Sequence, residues 1–88
     1  MIFEFFTEFI GTFIFLSVIL KSGDPLAIGL ALASVIYFGG KVSGGNFNPA
    51  VSYMMLLSKK IDVTKFVAYI IAQILGATSA FLFHSYTK

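Results

Sequence analysis

Few groups in this chain can do chemistry, and the densest set is residues 43–52, Ser-Gly-Gly-Asn-Phe-Asn-Pro-Ala-Val-Ser. An Asn followed by Pro is the chemistry of a helix start. The Asn48 side-chain oxygen can accept from a backbone N–H of the first turn, and Pro49 suits the first helical position, where its missing N–H is not needed. The same side chain keeps two amide hydrogens to offer an oxygen ligand. Gly44 and Gly45, with Gly39 and Gly40 just before them, permit tight bends. Glu8 and Gln73 stand inside apolar runs. A carboxylate within a spanning helix costs at least a few kcal/mol unless it meets polar partners, so Glu8 is either solvated near an interface or braced by polar groups, and Gln73 has the same two readings. No His, Asp and Glu cluster has metal-ligand spacing, cysteine is absent, and no nucleophile has a base in support. The residues therefore point to no metal, no cofactor and no enzyme.

The elements that must carry these groups are apolar. Hydrophobic residues make up 58% of the 88, eleven of them Phe, against roughly 45–50% in soluble domains. Mean hydropathy is +0.94. Three runs are long enough to cross a hydrocarbon core of about 30 Å as helices: residues 2–20, 25–42 and 63–86. Glu4 and Glu8 and the lack of a basic leader argue against a cleaved secretory signal in the first run. Pro25 is placed to open the second. Phe3, Phe5, Phe6, Phe9, Phe13 and Phe15 are expected to face lipid. Ala72, Gly76 and Ala80 recur every four residues and form a stripe for close helix approach, as do Gly29 and Ala33. All six basic residues are lysines spread along the sequence, a pattern unlike a nucleic-acid footprint or a polybasic lipid anchor.

Between the second and third runs, the apolar stretch 50–57 makes only about 12 Å of helix and cannot cross alone. Two readings fit these residues. In one, residues 41–48 are a surface loop and 50–57 an amphipathic helix lying on the membrane. In the other, residues 43–57 are a re-entrant loop and half-helix, because irregular backbone is tolerated at membrane depth where protein or a water-filled cavity satisfies it.

The ten residues 43–52 resemble the first Asn-Pro-Ala loop of the aquaporin, or major intrinsic protein, family. Glu8-Phe9-Ile10-Gly11-Thr12 resembles that family's first-helix signature, and Tyr69-Ile70-Ile71-Ala72-Gln73-Ile74-Leu75-Gly76-Ala77 its third helix. The resemblance covers nearly the whole chain, but only the first of the two inverted repeats the family usually has. It implies an all-α membrane protein of three transmembrane helices plus one re-entrant half-helix, with residues 1–88 forming a single half-channel repeat. It further implies that Asn48, Pro49 and Ala50 form a polar waist. Asn48 would turn its amide hydrogens toward a passing water or polyol oxygen, backbone carbonyls of Gly44, Gly45, Asn46 and Phe47 would supply acceptors, and Glu8 and Gln73 would brace the loop.

Two departures bear on selectivity. The family places an arginine after its second Asn-Pro-Ala, whereas this chain has a single motif, followed by Val51, and no arginine at all. By the family's spacing, the aromatic filter position falls on Ile28. A wider, less polar mouth follows. The expected function is a passive channel for water or small uncharged solutes such as glycerol, in the lipid bilayer and without nucleic acid. A second half, from an inverted copy in an antiparallel homo-oligomer or from a partner chain, would enclose the pore. The alternatives are a non-conducting subunit that modulates full-length channels, or a truncated remnant. With Lys41, Lys59, Lys60 and Lys65 on the N-terminal side against Lys21 and Lys88, the positive-inside rule puts the N-terminus in the cytoplasm, a bias mild enough to permit dual topology.

Overall fold

The computed structural model describes residues 1–88 as four helices without strands: α1 (Ile2–Lys21), α2 (Pro25–Ser43), α3 (Pro49–Leu57) and α4 (Val63–Thr87). Each start after the first is capped by the residue before it. The Asp24 carboxylate accepts from Leu26 N at 3.4 Å and Ala27 N at 3.1 Å, and Asp62 accepts from Lys65 N at 2.8 Å. Three helices, α1, α2 and α4, are long and apolar enough to cross a membrane. Each ends one residue beyond the sequence expectation because polar side chains find tertiary partners there. Lys21 Nζ donates to Thr87 Oγ1 at 2.7 Å, and the Ser43 hydroxyl reaches inward to Glu8.

The distribution of polarity is that of a membrane protein. Only 14 of 88 residues are buried, and they include Glu8, Thr12, Ser43, Asn46, Ser52 and Gln73. Large apolar side chains such as Phe3, Phe38, Leu26 and Phe81 lie on the outside. Water would be a poor solvent for that exterior, whereas hydrocarbon suits it. The longest dimension, 39 Å, exceeds the roughly 30 Å of a hydrocarbon core.

α1 packs on both α2 and α4, and α3 packs on α4. Ala72, Gly76 and Ala80 are buried in α4. A Cβ at Gly76 would lie 2.8 Å from the Phe9 carbonyl oxygen and 3.0 Å from Thr12 Cβ, so the backbones of α1 and α4 touch there because no side chain intervenes. The Gly29 and Ala33 stripe is different: both residues are exposed, and a Cβ at Gly29 would meet nothing within 4 Å. The aromatic face of α1 also departs from expectation. Phe3 and Phe6 are exposed, but Phe5, Phe9, Phe13 and Phe15 are half-buried, because α1 has neighbours on two sides. Phe13 packs edge-on against Phe83 with centroids 5.6 Å apart.

α3 ends in a left-handed turn built on a non-glycine residue. Lys59 has φ 61, its N–H donates to Leu56 O at 3.0 Å, and Lys60 N donates to Met55 O at 2.9 Å. This is the paired-bond helix end that glycine usually supplies. A Cβ in that conformation costs about 1–2 kcal/mol, and glycine returns about 0.5–1 kcal/mol of that as unfolded-state entropy. Lys59→Gly is therefore expected to stabilise the protein by about 0.5–1 kcal/mol. It should appear as a thermal midpoint raised by a few degrees in detergent, and a lowered midpoint would contradict the strain.

Candidate functional site

The site is built around Glu8, whose side chain is fully buried. Its Oε2 accepts from Ser43 Oγ at 2.7 Å and from Asn46 N at 3.0 Å. Its Oε1 accepts from Phe47 N at 2.7 Å and from Gln73 Nε2 at 2.9 Å. One group thus joins α1, α2, α4 and the loop between α2 and α3. All four partners are donors, which matches an acceptor-only carboxylate and offsets its desolvation. With two bonds on each oxygen, Glu8 ties the loop to α1, α2 and α4.

A second layer ties in α3. Ser52 Oγ, fully buried, accepts from Asn46 Nδ2 and Gln73 Nε2, both at 2.9 Å. The carboxylate can only accept, so the Gln73 nitrogen must be the atom facing it, and Gln73 Oε1 is left buried without a partner. The Tyr69 hydroxyl donates to the Ser43 carbonyl.

The loop itself holds three residues at positive φ. Gly44 (φ 90) closes α2, and Gly45 follows at φ 70. Phe47, at φ 55, is in the region that disfavours side chains. Its ring is 2% exposed and seated in a socket made by two glycines. A Cβ would come within 2.1 Å of the ring at Gly11 and within 3.1 Å of it at Gly39. The socket and the Glu8 bond to Phe47 N together hold a backbone conformation that costs about 1–3 kcal/mol on its own.

Beyond this clamp stands the start of α3. Asn48 is extended (φ −162), and its Oδ1 accepts from Ala50 N at 2.7 Å. The oxygen is committed to the helix, so the amide hydrogens point to whatever surrounds the residue. Asn48, Pro49 and Ala50 are all exposed, and Val51 is half-buried. Asn46 and Phe47 turn their side chains into the protein, leaving only main-chain groups to offer outward. Ile28 lies apart from this network and half-buried. It sits in the first turns of α2, fifteen residues or about 22 Å of helix from Ser43.

Ser43, Ser52 and Tyr69, and the socket at Gly11, carry the site without having been singled out from the sequence. Gly39 and Gly40, expected to permit bends, are instead helical residues of α2, because the turn falls to Gly44 and Gly45; Gly39 makes room for the Phe47 ring. One signal was available: Ser52 is the one small polar side chain inside the apolar α3, and a polar side chain there needs a partner.

Comparison with known proteins agrees with this geometry. The profile of the family described as Major intrinsic protein matches residues 1–88. Glycerol uptake facilitator protein-like 6 of Lactiplantibacillus plantarum is 46% identical over 86 aligned residues, covering 88% of this chain and 40% of the relative. Aquaporin-4 of Mus musculus is 48% identical over 52 residues, covering 59% of this chain and 16% of the relative. Lens fiber major intrinsic protein of Gallus gallus is 42% identical over 55 residues, covering 62% of this chain and 21% of the relative. The chain spans 40% or less of the length of these curated relatives. With a family match over its full length and a polar clamp holding a capped half-helix among three apolar spans, the chain belongs to the major intrinsic protein family.

Proposed function

We propose that this chain is one half of a passive membrane channel for water or small uncharged solutes such as glycerol, completed by a second half. The observation that carries this reading is the start of α3, where Asn48 spends its oxygen on its own helix and stays exposed. α3 has nine residues, about 13 Å of helix, far short of a bilayer. Aligned peptide dipoles put roughly half a positive charge at its start. An exposed amide donor at that point binds a neutral oxygen acceptor and repels cations. Gly44 and Gly45, with the main chain of Asn46 and Phe47, provide acceptors beside it, and Val51 provides apolar wall. The relatives named for glycerol uptake and as aquaporins support this class of solute. With aliphatic Ile28 at the far end of α2, this half contributes an apolar rather than an aromatic wall to the mouth of the path.

The exposed helix start needs a cover, which a second half-helix meeting it head to head would supply. Either an inverted copy of this chain or a separate partner chain fits. Lysine placement supports a cytoplasmic N-terminus, and single cysteines at Ser22 and Lys59, labelled from each side of whole cells, distinguish the two. One-sided labelling at both positions excludes the inverted copy and leaves the partner chain.

The channel is tested by stopped-flow light scattering of vesicles holding the purified chain under an osmotic gradient. We expect faster shrinkage than in empty vesicles. Asn48→Asp keeps the cap, since both residues cap well, but loses the amide donor. Losing one hydrogen bond of about 1 kcal/mol along the path slows permeation roughly fivefold. Shrinkage equal to empty vesicles, and unchanged by Asn48→Asp, would contradict a channel completed by an inverted copy of this chain.

A further inference from the structure

Lysines that are scattered in the sequence are gathered by the fold. Lys65 Nζ lies 3.7 Å from Glu4 Oε2, so α1 and α4 start at the same end, where α2 and α3 finish. Lys41, Lys59, Lys60 and Lys65 meet there with two carboxylates at the surface, Glu4 and Asp62; a third, Glu8, lies buried beneath Ser43, its charge already matched by four donors. Both surface carboxylates are engaged. Asp62 caps α4, and Glu4 faces the terminal amino group at 3.0 Å as well as Lys65. Lys60 has no carboxylate partner and is exposed. The turn that presents it is the one fixed by Lys59 at φ 61.

Between the last turn of α2, the end of α3 and the start of α4 lies a hollow of about 330 Å³. Lys60 and Lys65 line it together with Ser43, Gly44, Met55 and Ile61. The space is several times the roughly 30 Å³ that one water occupies. We propose that this hollow binds a phosphate group, carried by an anionic lipid headgroup or free in the adjoining water. Two ammonium groups supply point charges of the kind that bind phosphate. The polar floor tolerates the hydrated oxygens, and Met55 and Ile61 suit the apolar part of a lipid. The three spans end at this level, so the hollow opens where headgroups lie. The site does not depend on whether the chain conducts.

The test is native mass spectrometry of the detergent-purified chain with phosphatidylglycerol, phosphatidylcholine and inorganic phosphate as probes. Phosphatidylglycerol is expected to bind at least about tenfold more tightly than phosphatidylcholine, from two lysines near the surface. Inorganic phosphate that displaces it identifies free phosphate as a sufficient ligand, while retention identifies the lipid headgroup as the source. Lys60→Gln with Lys65→Gln should abolish the preference, and Lys60→Arg with Lys65→Arg should keep it. Lys60→Glu, which leaves the Glu4 pair intact, should abolish it even if the double variant folds poorly. Lys21→Gln with Lys88→Gln removes equal charge from the opposite end and should change nothing. Equal binding of phosphatidylglycerol by wild type and Lys60→Glu, or equal loss in the Lys21 and Lys88 variant, would overturn the proposal.

Discussion

Glu8→Gln releases the loop that carries Asn48 and destabilises the protein by about 3 kcal/mol. The reasoning rests on the donor count. Ser43 Oγ, Asn46 N, Phe47 N and Gln73 Nε2 all donate to this carboxylate at 2.7–3.0 Å. A glutamine presents an NH₂ where two of those donors now find an oxygen, so one pair faces donor to donor. Hydrogen bonds to a charged group are worth about 1.5–3 kcal/mol each, and the stranded partners keep their desolvation cost. Glu8→Ala should be worse, because the N–H groups of Asn46 and Phe47 lose their acceptor altogether. Urea unfolding in detergent reads the loss, and amide exchange at residues 44–48 should quicken ahead of the rest. Glu4→Gln, four residues earlier at the surface, should leave stability unchanged. A Glu8→Gln protein within about 0.5 kcal/mol of wild type, inside the range of an ordinary surface change, would mean that the carboxylate is not the clamp.

Gly11→Ala is expected to match that loss from the other side of the loop. The new methyl would sit 2.1 Å from Phe47 Cε1 and 2.6 Å from Cδ1, well inside van der Waals contact. Gly39 borders the ring and Glu8 holds the Phe47 N–H, so a shift of the ring into the hollow of about 340 Å³ beside it must pull on that bond. Overpacking costs about 1–3 kcal/mol, and the upper end is expected because Phe47 is already held at φ 55. Shrinking the ring should partly repair the damage. Phe47→Leu is destabilising alone, but it should restore at least about 1 kcal/mol in the Gly11→Ala background, as contacting residues couple. Strictly additive losses would show that the glycine and the ring do not share a socket.

How far the sequence could be read follows from the range of each interaction. Local chemistry was legible: Pro25, and Asn48 before Pro49, announce helix starts within a few residues, and both helices begin there, the Asn48 cap formed as read. Run length and hydropathy marked the three long apolar helices to within one residue. The residual errors sit at Lys21, Ser43 and Thr87, whose side chains bond to partners distant in sequence. The six phenylalanines of α1 read as one lipid-facing set, yet packing on two sides half-buries four of them, which no window along one helix can reveal. Glu8 and Gln73 stood out because polar groups in apolar runs demand an explanation. Ser52 offered the same signal more faintly, while Ser43 and Tyr69, at a helix end and among aromatics common in spans, offered none. The socket at Gly11 and Gly39 was hidden, as it exists only once residue 47 arrives between two helices.

The central claim is that a buried carboxylate holds the start of α3 inside the membrane while keeping it open to water. Because the chain has no cysteine, a nitroxide spin label on Ala50→Cys in lipid vesicles reports depth and solvent access at one position. The account predicts a label well below the headgroups whose relaxation is nevertheless quickened by a water-soluble paramagnetic complex. A label at headgroup depth, or one at depth that only oxygen dissolved in the lipid can reach, would contradict it.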